Sequence, residues 1–162
     1  MSERDEITLT INGKRHAIRV EARRTLVDAI REDCGQTGTH IGCEHGVCGA
    51  CTVLVDGSPI RSCLMFAVQA NGKDIRTVEG LAKGDELNAL QRAFMENHGL
   101  QCGFCTPGFL MLITGVLERE PDISHEELVD VLSSNLCRCT GYQNIIKAVC
   151  SAAAELRGGS AR

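Results

Sequence analysis

Ten cysteines punctuate this 162-residue chain, and eight of them fall into two sets of four with different spacings. The first set runs Cys43-x4-Cys48-x2-Cys51-x11-Cys63. Thiolates at that spacing suit a 2Fe-2S cluster, because three come from one tight loop and the fourth arrives from further along the chain. Gly42, Gly46 and Gly49 interleave with these thiols. A loop that wraps four sulfur atoms and points N–H groups at them needs the φ freedom and close approach that glycine allows. Zinc is the competing metal, but a closed zinc site usually joins two knuckles, each a short cysteine pair, and this set is a single loop plus a distant thiol.

The second set reads Cys102-x2-Cys105-x31-Cys137-x-Cys139. Each half runs into a helix start. Thr106 can cap and Pro107 suits the first helical position, while Thr140 can cap the segment opening at Gly141-Tyr142. Two thiol pairs thus lie at two helix N-termini, where free N–H groups and the helix dipole favour thiolate. The likeness of Leu100-Gln-Cys-Gly-Phe-Cys-Thr-Pro-Gly to Leu136-Cys-Arg-Cys-Thr-Gly suggests a pseudo-twofold pair of helical hairpins with the metal between them. Taken alone, this set suits zinc as well as iron, since tetrahedral four-thiolate sites take either. Its iron-type neighbour favours iron.

The two remaining cysteines sit at helical spacing among apolar residues, Cys34 after Ile30 and Cys150 after Ile146, and read as small buried hydrophobes. His40 and His45 flank the first set and read as solvated loop residues. Gln101, just before Cys102, reads as a polar residue ahead of a helix. There is no Ser/His/Asp grouping and no phosphate loop.

The elements that must position these thiols fall into two blocks. Ile7, Leu9 and Ile11 alternate, Asn12-Gly13 is a hairpin turn, and Ala17 to Val20 continues as the return strand. Thr25 to Cys34 reads as a helix with Thr25 as its cap. After the cysteine loop come Thr52-Val-Leu-Val, a turn at Asp56-Gly57, a segment around Ile60, and a strand near 74–78. Periodicity supports an α+β domain, and a small mixed sheet crossed by one helix is the β-grasp pattern. Helical patterns follow at 87–98, 107–118, 125–134 and 142–156, the third opened by a Ser124/Glu127 capping box. The expected organisation is an N-terminal β-grasp domain over 1–79, a linker over 80–86, a four-helix bundle over 87–157, and a mobile tail over 158–162.

Composition removes several classes. Hydrophobic residues make up 43% of the chain, enough for a real core. No run of about 18 apolar residues suggests a membrane span. The charged start, Met-Ser-Glu-Arg-Asp-Glu, does not read as an export signal, so ten cysteines point to metal in a reducing, cytoplasmic setting rather than to disulfides. The net charge is −4, with 11 basic and 11 acidic residues up to residue 84 and 6 against 10 thereafter. With no Trp and one Tyr, nothing favours nucleic acid.

The run from Gly42 to Val55, Arg61-Ser-Cys-Leu-Met-Phe-Ala-Val-Gln, Gln101-Cys-Gly-Phe-Cys-Thr-Pro-Gly and Asn135-Leu-Cys-Arg-Cys-Thr-Gly-Tyr-Gln-Asn together resemble the small iron-sulfur subunit of the xanthine oxidase family of molybdenum hydroxylases. The resemblance covers nearly the whole chain and extends to the small subunits of carbon monoxide dehydrogenase and of heterocycle, aldehyde and aryl-CoA oxidoreductases. It implies a plant-type ferredoxin-like domain followed by a helical one, each with a 2Fe-2S cluster. By this resemblance, Cys43, Cys48, Cys51 and Cys63 bind the cluster nearer a flavin, and Cys102, Cys105, Cys137 and Cys139 the cluster nearer a pterin. Gln101 and the Cys139 sulfur match the positions that hydrogen-bond that pterin. The implied partners are a large subunit holding molybdenum on a pyranopterin cytosine dinucleotide and a medium subunit holding FAD, joined as a dimer of heterotrimers. The alternative is a free-standing two-cluster ferredoxin-type carrier. Leu100, Phe104, Phe109 and Leu136 accompany the second set, and part of this apolar group is expected to be wet in the isolated chain.

Overall fold

The computed structural model describes residues 4–159. Arg4–Ile11 (β1) and Lys14–Glu21 (β2) pair as an antiparallel hairpin whose tip is Asn12-Gly13. Their φ values of 51° and 78° are the two positive angles that a type I′ turn demands. Asp56-Gly57 repeats the device between Thr52–Val55 (β3) and Ser58–Arg61 (β4). Asp74–Arg76 (β5) completes a mixed five-stranded sheet in the order β2-β1-β5-β3-β4. The β1–β5 pair is parallel and the other pairs antiparallel.

The helix expected from Thr25 begins as read, with the Thr25 hydroxyl accepting from the Asp28 N–H at 3.2 Å at the start of Leu26–Asp28 (α1). It then widens. Ala29–Asp33 is a π-helical turn in which the Cys34 N–H reaches the Ala29 carbonyl. A pattern of 3.6 residues per turn does not register that extra residue. Ala29, Ile30 and Cys34 still face the sheet and join Leu9, Ile11, Val53 and Ile75 in the first core.

The four later helical segments appear as Ala89–Glu96 (α2), Thr106–Arg119 (α3), His125–Ser133 (α4) and Gln143–Gly159 (α5). Ser124 with Glu127 boxes the start of α4, as read from the sequence, and Asn88 with Gln91 boxes that of α2, which was not read from it. The four share a second core around Phe94, Phe109, Ile113, Leu132 and Ile145. Burying a side chain such as Phe109 stabilises by about 1.5–3 kcal/mol. The start of α3 departs from expectation: Cys105 occupies the cap position, Thr106 lies inside the helix, and the Thr106 hydroxyl is buried without a protein partner. Cys105 holds that position with a backbone already in the helical region, φ −81° and ψ −15°, and its side chain makes no capping bond. α5 continues to Gly159, so the expected tail begins as helix and its last three residues lie outside the described ones.

The two cores meet through β3 and α3. Every residue of β3 is buried, because Val53 and Val55 face the first core while Leu54 meets α3 on the opposite face. Gly115 of α3 makes that contact possible, since a Cβ there would fall 2.6 Å from Leu54 and 2.7 Å from Pro59. Arg76 and Glu118 add an ion pair across the same junction. Among the described residues, no helix is long and apolar enough to cross a membrane.

Candidate metal centres

The loop from Cys43 to Cys51 is shaped by residues in the left-handed region, with Gly46 at φ 81° and Gly49 at φ 73°. It closes on its own amides. The Cys48 N–H donates to the Cys43 sulfur at 3.3 Å. That N–H and those of His45 and Val47 pull the Cys43 thiol down to about 6. Gly42 must lack a side chain, because a Cβ there would fall 2.9 Å from the Cys48 sulfur. Burial raises Cys48, and burial together with a hydrogen bond that Cys63 donates to Cys51 pushes Cys63 up to about 11. All four thiols of the first set therefore come together, paired as Cys43 with Cys48 and Cys51 with Cys63.

The second set also converges, and it does so across the two halves of the helical region. Cys102 and Cys139 lie sulfur to sulfur at 3.6 Å. Cys105 pairs with Cys137, and Cys105 is pushed up to about 12, chiefly by burial and then by donating to Cys137. Burial opposes ionisation of Cys137, yet the Thr140 hydroxyl at 3.2 Å and nearby backbone N–H groups outweigh it and lower its pKa. Thr140 thus serves a sulfur and also accepts from the Tyr142 N–H. Cys102, Cys139 and Gln101 lie together on the exposed edge of this site.

The thiols meet in pairs, and among the described residues no three His, Cys, Asp or Glu side chains could hold one metal ion. Two pairs per site fit a core of two irons, each taking two thiolates, better than they fit one tetrahedral zinc. The donor N–H groups aimed at Cys43 supply the sulfur hydrogen bonding that such a cluster uses.

Three features were not read from the sequence. Leu136 N–H donates to the Cys48 carbonyl at 2.9 Å, tying one ligand loop to the other. Arg61 bonds Thr52 and the Ser134 carbonyl, crossing the same seam. His40 stacks on Phe104 with centroids 4.8 Å apart, its Nδ1 lying 2.8 Å from the Phe104 carbonyl. Each joins residues far apart in sequence, and no local pattern signals them. Of the apolar residues named beside the second set, Leu100, Phe104 and Leu136 are exposed, whereas Phe109 is fully buried in the helical core. Cys34 is buried as expected, while Cys150 is only half-buried, its sulfur 3.3 Å from His125 Nδ1.

Family comparison agrees with this geometry. A 2Fe-2S iron-sulfur cluster binding domain matches residues 9–82, and a [2Fe-2S] binding domain matches residues 77–150. The chain is 54% identical to the nicotine 6-hydroxylase small subunit of Paenarthrobacter nicotinovorans, over 96% of this chain and 93% of the relative. It is 57% identical to the caffeine dehydrogenase subunit gamma of a Pseudomonas species, over 88% and 87%. Among solved structures, quinoline 2-oxidoreductase from Pseudomonas putida 86 superposes with a TM-score of 0.91 at 53% identity, covering 98% of this chain and 99% of that one. Two four-thiol sites, two matching 2Fe-2S domains and near full-length likeness to these subunits make the chain a member of the small iron-sulfur subunits of the molybdenum hydroxylases.

Proposed function

We propose that the chain relays electrons from a molybdenum pyranopterin cytosine dinucleotide on a large subunit to FAD on a medium subunit. The order is the helical-domain site first and the ferredoxin-domain site second. One bound 2Fe-2S cluster accepts or gives one electron at a time, so two in series suit a two-electron centre feeding another cofactor. The observation that carries this reading is the direct tie between the ligand loops, the Leu136 N–H to Cys48 carbonyl bond of 2.9 Å.

Within this reading Cys43, Cys48, Cys51 and Cys63 hold one cluster, and Cys102, Cys105, Cys137 and Cys139 the other. Gln101 and Cys139 lie on the exposed edge where a pterin would be met. The domains follow the boundaries given above, a β-grasp unit to residue 79 and a four-helix bundle from 87. The two family matches overlap only at 77–82, which supports a junction there. The assembly is a cytoplasmic dimer of heterotrimers. Its substrate is an N-heterocycle, because relatives above half identity are named for nicotine, caffeine and quinoline.

A free-standing carrier is disfavoured by the surface around both sites. Val47, Leu64 and Phe66 stand exposed near the first, and Leu100, Phe104 and Leu136 near the second. Apolar rims of this kind mark docking faces. Co-expression with large and medium subunits should yield one assembly containing iron, molybdenum and FAD, whose two EPR signals appear on adding an N-heterocyclic substrate. A stable monomer with both clusters that does not bind those subunits would overturn the proposal.

A further inference from the structure

Asn135 is buried at 1% exposure in the seam between the two cysteine sites, and neither metal set includes it. Its side-chain Nδ2 lies 3.4 Å from the Gly49 carbonyl, in the other ligand loop and 86 residues away. Its Oδ1 has no hydrogen-bond partner among the described protein residues and rests on the Gly49 Cα, where a Cβ would fall 2.0 Å from it. Its own carbonyl accepts from the Tyr142 hydroxyl at 3.0 Å. That hydroxyl in turn accepts from the N–H of the ligand Cys137, also at 3.0 Å. The next residue, Leu136, donates to the carbonyl of the ligand Cys48.

An amide whose oxygen is buried and unsatisfied is a poor choice for stability alone, since an apolar side chain of similar size would leave nothing unpaired. What the amide adds is position. It reaches Gly49, fits only because Gly49 is bare, and fixes the segment that carries both Leu136 and Cys137.

We propose that Asn135 is the positioning residue for electron exchange between the two clusters. It keeps the Cys48 carbonyl and the Leu136 amide in contact, so that a single hydrogen bond links a ligand of one site to the residue preceding a ligand of the other. The transfer it serves is one electron, with the helical-domain cluster oxidised and the ferredoxin-domain cluster reduced; no bond breaks and no proton moves. This inference rests on the relay reading above for the direction of transfer and only on two filled sites for the coupling itself.

The test uses the assembled holoenzyme carrying Asn135→Ala, with Tyr142→Phe as a second variant that removes the hydroxyl shared by the Asn135 carbonyl and the Cys137 N–H. In both, the two EPR signals of the dithionite-reduced clusters should persist at full intensity. The magnetic coupling between them should weaken, and electron exchange between them after rapid partial reduction should slow several-fold in Asn135→Ala and less in Tyr142→Phe. Wild-type coupling and exchange rate in both variants would overturn the assignment. So would loss of a cluster in Asn135→Ala together with unaltered coupling and exchange in Tyr142→Phe, which would leave Asn135 a merely structural residue. Dithionite bypasses the partner subunits, so a failed relay reading would appear separately, as clusters that substrate cannot reduce.

Discussion

The two four-thiol sites are held in opposite ways. The ferredoxin-domain site is one loop and one later thiol within a single domain, and its Cys51 and Cys63 are buried. The helical-domain site joins two loops, with Cys102 and Cys139 exposed and 37 residues apart in sequence. The first is organised by backbone amides that a glycine-rich loop turns toward sulfur. The second is organised by tertiary packing, which must bring the loop before α3 and the loop before α5 together before the pairs exist. The first site buries two of its thiols and leaves Cys43 and Cys48 half-buried, whereas the second leaves Cys102 and Cys139 exposed.

The sharpest way to test that difference is to remove one ligand from each. Cys48→Ser should abolish the ferredoxin-domain EPR signal and spare the other, while Cys105→Ser should do the reverse. Loss of both signals from Cys48→Ser alone would show that the helical-domain site depends on the loop beside it. Gly49→Ala comes next. It forces a side chain into φ 73° and against Asn135. Left-handed strain of about 1–2 kcal/mol and overpacking of about 1–3 kcal/mol should together lower stability by about 2–5 kcal/mol. Gly13→Ala, equally left-handed at φ 78° but with open space around it, should cost only the first part. Thermal melts of the two variants against wild type measure the contrast, and equal losses would remove the seam from the account.

A smaller effect separates the sites by pH in the metal-free, reduced chain. Cys43, drawn down from 9.0 to about 6 by backbone N–H groups, should be alkylated first near neutral pH. Cys105, pushed up from 9.0 to about 12 chiefly by burial, should resist. The signs for stability are opposite. The Cys43 contribution is present above 9.0 and lost as pH falls through about 6, while that of Cys105 is present below 9.0 and lost as pH rises through about 12. Mass spectrometry of peptides after brief alkylation reads the order, and equal labelling of Cys43 and Cys105 would contradict it. The smallest change expected is Gln101→Ala. Losing one hydrogen bond to a pterin should cost on the order of 1 kcal/mol, measured as a partial loss of molybdenum with both clusters retained. Unchanged molybdenum content would count against Gln101 as a contact.

Much of this molecule was settled by local chemistry that sequence carries. The two I′ turns at Asn12-Gly13 and Asp56-Gly57, the Ser124/Glu127 box and the four later helices depend on short-range geometry and were legible as such. The grouping of eight thiols into two sets was legible from spacing, and the structure brings each set together. The π-helical turn after Thr25, the cap position taken by Cys105 and the burial of Phe109 were not, because each is decided by what packs against the segment. Tertiary structure alone decided which thiol meets which, and that Leu136 and Asn135 would lie on Cys48 and Gly49. Contacts across such separations depend on how whole elements dock, as α3 does on β3, and a one-dimensional pattern holds no record of how two faces meet.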